Sequence, residues 1–333
     1  MNTSKAKRPI RLGVSTVVVL GLLAGCDQGA MSTQTARIGT DDGSDVCRPY
    51  VVALDSTGNY FGADIVKGAV IGAFGGGLAG GLLGGNWKSA LIGAGAGAVM
   101  GGATSYWMAL QQQAQDQAVL DARVRGDIQQ ENTAIDRTQL AFNQVMDCRF
   151  RQARDIQADY TEHRIDRPTA VSRMSWVKSR AQRDLEIARR IDGQIAGRSA
   201  QFEVAADNLN QAPAPAAPPA PRPATVRTSA GLKLRPDPSA PEIGTLQARQ
   251  PVTVSAVRDG YALVETPSGQ KGYAAVDAIS GRGLPTAQPR ADTGRSPDDV
   301  RSLAGSNAAR RDDFNQSVSV SANAVSSGFE LAS

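Results

Sequence analysis

Between Gly62 and Gly102 the chain reads GADIVKGAVIGAFGGGLAGGLLGGNWKSALIGAGAGAVMGG, and its glycine spacing decides how the rest is organised. Fifteen of the 35 glycines lie in this interval. Gly68, Gly72, Gly76, Gly80 and Gly84 repeat every fourth residue. After Asn86-Trp87-Lys88, the series Ser89, Gly93, Gly97, Gly101 and Ser105 takes the same step. Residues four apart share one face of an α-helix, so each half carries a smooth stripe that lets a second backbone approach closely. Each glycine costs a helix ~1 kcal/mol relative to alanine in water, so five in series need a bilayer or a tight partner to offset them. Neither Gly68–Asn86 nor Ser89–Gln115 holds a charged side chain, and ~20 such residues cross a hydrocarbon core. Tyr60 and Phe61, then Trp87, then Tyr106 and Trp107 read as aromatic belts at the two faces of a membrane. A flexible linker takes serine and proline at the places where this stretch has Ile71, Phe74, Leu78, Leu82, Leu91, Ile92 and Val99.

On these residues, the stretch 61–110 resembles the glycine-zipper two-helix family of bacterial envelope proteins. The resemblance implies a membrane-inserted hairpin packed through Gly68, Gly72, Gly76, Gly80, Gly84, Gly93, Gly97 and Gly101. The same stripes also suit packing between chains, which would make a homo-oligomeric pore or a secretion-machine component. A phosphate cradle is a poorer account of the glycines. The match at Gly75–Gly80 lacks a strand–turn–helix context, and no GxxxxGK[ST] occurs.

The amino terminus supplies an address. Lys5, Lys7, Arg8 and Arg11 precede the apolar run Leu12–Leu23, which ends in Leu22-Leu23-Ala24-Gly25-Cys26. A basic start and a short apolar run describe an export signal. The ending resembles the lipobox of bacterial lipoproteins, which implies removal of residues 1–25 and acylation of the Cys26 thiol, palmitate included. The expected location is the bacterial cell envelope, lipid-anchored and facing the periplasm, with inner or outer membrane left open. Those four basic residues account for the net charge of +4, because the remaining 32 basic side chains match the 32 acidic ones. A neutral mature chain argues against nucleic acid as a partner, since that binding rests on phosphate neutralisation.

After export two cysteines remain in an oxidising compartment, Cys47 in the segment 26–60 and Cys148 beyond the glycines. They admit an intramolecular bridge, an intermolecular one, or two free thiols. The intramolecular bridge requires the intervening helix to fold back or begin late. His163 is the sole histidine, so no His-rich metal site and no two-histidine mechanism is available. With no nucleophile–base set either, the expectation is a non-enzymatic chain with neither cofactor nor metal.

Residues 111–210 read as a helical, coiled-coil-like stalk. Ile128, Ile135, Phe142 and Ile156 fall on one seven-residue series interrupted by Arg149. Met174, Ala181, Ala188, Ile195, Phe202 and Leu209 form a second, and Pro168 between the two predicts a reversal into an antiparallel pair. Residues 211–224, with six prolines, predict an extended spacer.

Residues 225–281 alternate short apolar runs with turn signals: Leu232-Lys233-Leu234, Ile243–Leu246, Val252–Val257, Tyr261–Val264 and Gly272–Val276, punctuated by Asp259-Gly260 and Ser268-Gly269. Periodicity alone predicts five or six strands in a small all-β barrel. Leu234-Arg235 before a proline turn, Ile243-Gly244, Asp259-Gly260-Tyr261 and Gly269 followed by Gly272-Tyr273 resemble the bacterial SH3 (SH3b) family. The resemblance implies a peptidoglycan- or peptide-binding groove, for which Arg235, Tyr261 and Tyr273 are the candidates. A structural sheet with buried tyrosines fits the same residues. Residues 282–333, polar and without a core pattern, predict a disordered or partner-bound tail. Taken together, the sequence predicts a multi-part α + β chain. It would be an envelope lipoprotein that tethers or scaffolds, with membrane lipid, peptidoglycan or envelope proteins, and further copies of itself as partners.

Overall fold

A seven-residue apolar repeat in a chain of alternating charge makes long helices that must pair. The computed structural model, which describes residues 34–62, 102–113, 116–210, 220–285 and 299–329, contains that pair. The helices in chain order are α1 (Gln34–Ile38), α2 (Arg48–Gly62), α3 (Gly102–Gln113), α4 (Gln117–Thr161), α5 (Arg167–Asn210) and α6 (Val300–Gly328). Asp116 caps α4 by accepting the Ala118 N–H at 2.8 Å. The chain then reverses within five residues. His163 takes a left-handed φ of 57° on the exposed turn, and Asp166 accepts the Thr169 N–H at 3.0 Å to start α5. Pro168 falls in the first turn of α5, where its missing N–H costs nothing. The two helices run antiparallel, since Arg149 meets Asp184 while Glu131 meets Arg198. Ile128, Ile135, Phe142 and Ile156 are buried along one seam, with Met174, Ala181, Ala188, Ile195 and Phe202 facing them.

Two layers cover opposite sides of this pair. On one side α2 packs against both long helices, so closely that a Cβ on Gly58 would lie 3.0 Å from Ile191 Cγ1. On the same side α3 follows, burying Tyr106, Trp107 and Leu110 with Leu120, Val124 and Phe202. On the other side lies α6, capped by Asp299. Its Asn307 donates to Asn132 Oδ1 at 3.0 Å, its Phe314 meets Phe142 edge-on at 5.7 Å, and its Asn315 donates to Asp192 at 2.7 Å. Each well-buried Phe or Val here contributes ~1.5–3 kcal/mol.

The remaining unit is an open antiparallel sheet of β1 (Arg222–Val226), β2 (Ala230–Lys233), β3 (Glu242–Leu246), β4 (Pro251–Arg258), β5 (Tyr261–Glu265), β6 (Lys271–Ala275) and β7 (Ile279–Ser280). The strand order is β3-β2-β6-β5-β4-β1-β7. Asp259 and Gly260 both have positive φ, which makes the two-residue turn between Arg258 and Tyr261 a primed type matched to strand twist. Gly272 is required by space: a Cβ there would sit 2.5 Å from Leu232 Cγ. Both faces of the central strands are covered. Leu232, Val254, Ala262, Val264 and Ala274 fill the sheet's own core, while Leu234, Leu263 and Tyr273 join the helical core.

Three expectations are corrected. The tail is not disordered between Val300 and Gly328, where α6 forms and buries Val300, Ala304, Phe314, Val318, Ala324 and Val325. Tyr106, Trp107 and Phe61 are at most 9% exposed inside the helical body, with Tyr60 packed against that core. These aromatics therefore form no membrane belt, and the expected hairpin 61–110 loses its flanks. The proline-rich spacer also ends earlier than residue 224, since β1 starts at Arg222 and pairs with β4. Cys26, the export signal and the zipper positions Gly68–Gly101 lie outside the described residues. Among the described residues no helix is long and apolar enough to cross a membrane.

Candidate functional site

Arg149, the residue that interrupts the α4 repeat, is 1% exposed and sits where three segments meet. Its Nε donates to Asp184 Oδ2 of α5 at 2.7 Å, and its Nη1 and Nη2 donate to Asp45 at 2.6 and 2.9 Å. Arg180 adds a third contact to Asp45 at 3.1 Å and lies 4.1 Å above the Trp176 ring. Beside this cluster Cys47 and Cys148 form a disulfide with Cα atoms 5.8 Å apart. The loop before α2 is thus fastened to the long helices covalently and ionically at one point. The two carboxylates respond differently to one guanidinium. Burial lifts the Asp184 carboxyl above its ordinary value despite Arg149. Burial also opposes ionisation of Asp45, but the paired bonds from Arg149, the Cys47 N–H and Arg180 outweigh it, so that carboxyl stays below the ordinary value. The difference follows from the bonds: Asp45 accepts from two arginines and a backbone N–H, whereas Asp184 accepts a single Arg149 bond.

A second buried cluster marks the place where the glycine-rich segment leaves and returns. Glu131 is fully buried and takes Arg198 at 2.7 Å. The Arg198 guanidinium lies 4.8 Å from the Tyr60 ring and 6.0 Å from the Phe61 ring, at the end of α2. One turn along α5, Phe202 meets Tyr106 of α3 edge-on at 5.4 Å, and the Tyr106 hydroxyl donates to Asp127 at 2.8 Å. Burial raises the Glu131 carboxyl despite Arg198, and with the neighbouring Glu131 it pushes Tyr60 up to about 12. The described residues on either side of 63–101 are therefore held against neighbouring turns of α4 and α5.

The expected ligand groove on the sheet is occupied by the chain itself. Tyr273 is 6% exposed, and burial pushes its hydroxyl up to about 12. Arg235 pairs with Asp147 of α4, and Arg258 pairs with Asp313 of α6. Asn323 of α6 accepts the Lys271 N–H at 2.9 Å and donates to the Gly269 carbonyl at 2.8 Å. Tyr261 packs part-buried against the same helical core. Arg235, Tyr261 and Tyr273 do come together, but as the joint between sheet and helices. The groove assignment is corrected accordingly: a ligand reaches this face only if α6 leaves it. The signal was present in Tyr261–Val264, a continuous apolar run of the kind that marks a strand covered on both faces.

A cleft of about 430 Å³ opens near the α4–α5 turn, lined by Ile156, Trp176, Val177, Asp155, Asp159, Ser172 and Arg173. Asp159 is already engaged by Arg164 at 2.7 Å and by Arg173 at 3.9 Å. Among the described residues no group of His, Cys, Asp and Glu is placed to hold a metal ion. Neither a protein-family model, nor a curated protein, nor a solved structure matches this chain.

Proposed function

We propose that this chain is a non-enzymatic scaffold of the bacterial envelope, attached to the membrane by acylated Cys26 and by a glycine-zipper hairpin within residues 63–101. One observation carries the reading. The glycine-rich segment departs from Gly62 and returns at Gly102 at a single buried cluster, Tyr60, Phe61, Glu131, Arg198, Phe202 and Tyr106. Both of its ends are anchored in a folded helical body, as an inserted hairpin needs. One lipid signal alone holds a protein reversibly, and two hold it stably. The SH3b-like sheet is then carried as a fixed part of this body. Its contact with peptidoglycan or an envelope protein belongs to surfaces other than Tyr273, which the helices cover.

The test is fractionation of cells exporting residues 27–333 behind a cleavable signal that lacks the lipobox cysteine. This unlipidated chain is expected to stay with membranes after carbonate extraction, and the same chain without residues 63–101 to be released. The mature natural chain is expected to carry an acyl mass on Cys26. Release of the unlipidated chain with residues 63–101 present would contradict the hairpin, and an unmodified Cys26 would contradict the lipid anchor.

A further inference from the structure

We infer that the flank formed by the end of α2 and the start of α3 lies flat against the lipid headgroups, so that α6 and the sheet face away from the membrane. The inference rests on the anchoring proposed above and adds an orientation to it.

Chain geometry supplies the first reason. Gly62 and Gly102, the described neighbours of residues 63–101, both belong to this flank. The amino-terminal arm reaches it too: Arg37 of α1 bonds Asp55 at 2.7 Å and touches Asn59 at 3.5 Å, whereas Gly39 lies beside Arg48 at the other end of α2. Helix α1 therefore runs opposite to α2, and Gln34 points toward the end from which the glycine-rich segment leaves. Cys26 stands eight residues before Gln34, no more than ~28 Å of extended chain. Two attachments on one flank leave little freedom to turn that flank from the bilayer.

Surface chemistry supplies the second reason, independently. Across α2 and α3 the only charged residues are Arg48 and Asp55, whose side chains are 14% and 2% exposed and which pair with Asp41 and Arg37. The exposed positions are Pro49, Ser56, Asn59, Thr104, Ser105, Met108 and the glutamines after it. Met108 is 55% exposed, a large apolar side chain in the open. The other long helices differ. Asp136, Arg137, Arg151, Arg154 and Asp155 are exposed on α4, and Arg173, Arg183, Glu186 and Arg189 on α5. A surface without exposed charge enters the headgroup layer without a charge-desolvation cost. Exposed acids lie at its edges, Asp41 and Asp42 before α2, Asp116 after α3 and Asp207 near the end of α5. Contact is accordingly centred on the α2–α3 junction.

The experiment uses the full, lipidated chain in phosphatidylethanolamine–phosphatidylglycerol vesicles, with one added cysteine carrying an environment-sensitive fluorophore. The native pair Cys47–Cys148 is bonded and does not take the label. Ser56→Cys and Met108→Cys report on the flank, while Ser319→Cys on α6 and Thr253→Cys on β4 report on exposed positions of the far side. Nitroxide lipids are expected to quench Ser56→Cys and Met108→Cys at least about twofold more than the other two. Equal quenching at all four sites in a chain that still floats with the vesicles would overturn the orientation alone. Contact between Met108 labels of two chains, with no lipid quenching, would hand the flank to a second copy and also overturn it. A chain that does not float overturns the anchoring itself and the orientation with it.

Discussion

Replacing Arg149 with methionine is expected to cost the folded chain about 3–5 kcal/mol at neutral pH, among the largest single-residue losses available to it. The substitution keeps the approximate volume and apolar stem but removes the Arg149 bonds of Asp45 and Asp184, which are 9% and 3% exposed, while Asp45 keeps Arg180 and the Cys47 N–H. Two carboxylates near each other in a dry site cannot both stay ionised cheaply. In the variant both therefore shift upward, for Asp184 adding to the rise it already shows. A carboxyl raised on folding is neutral, and not penalised, below its unfolded value, and it loses stability as pH climbs from there toward the folded value. The gap between variant and natural chain should accordingly narrow on acidification and widen toward neutrality. Urea unfolding of the two proteins over that range, followed by circular dichroism, measures it. A loss that is small or independent of pH would show that Arg149 is not the counter-charge for both acids.

Reduction of Cys47–Cys148 is expected to be of similar size. The bond closes a loop with a sequence separation of 101 residues, and loops of that length are stabilised by roughly 4–5 kcal/mol in the chain-entropy account. The paired substitution Cys47→Ala and Cys148→Ala should lower the urea midpoint accordingly. It should also expose Arg37 to trypsin before the α4–α5 pair is cut, because without the bond the layer is retained by non-covalent contacts such as those of Asp45, the Arg37–Asp55 pair and the α2 packing. An unchanged midpoint and an unchanged cleavage order would mean that the bond is incidental to the attachment of α1 and α2.

Much of this architecture is legible in the sequence, and the failures have physical causes. The long helices announce themselves because Ile128, Ile135, Phe142 and Ile156 stand in step. The strands do so because apolar runs alternate with turns such as Asp259-Gly260. Arg149 reads as a break in the repeat, yet it belongs to the seam. Its partners, Asp45 and Asp184, lie far away along the chain, and no local pattern pairs them. Helix α6 hides for another reason. Its core positions include Ser306, Asn307, Asp313 and Ser321, each at most 6% exposed. Such polar side chains, of which Asn307 and Asp313 bond across the interface, erase the hydropathy period while keeping its geometry. Tyr60, Phe61, Tyr106 and Trp107 mislead in the opposite sense. Aromatics beside a glycine-rich apolar stretch have one composition whether they border a bilayer or a protein core, and only their contacts with Arg198 and Phe202 distinguish the two.

The most direct test of the account is amide hydrogen exchange across residues 63–101 in the full chain reconstituted into vesicles. Insertion as a packed hairpin predicts amides protected for hours, with the slowest at Gly72–Gly84 and Ser89–Gly101. Exchange within seconds, at the rate of an unstructured peptide, in a chain that stays bound to the vesicles would contradict it.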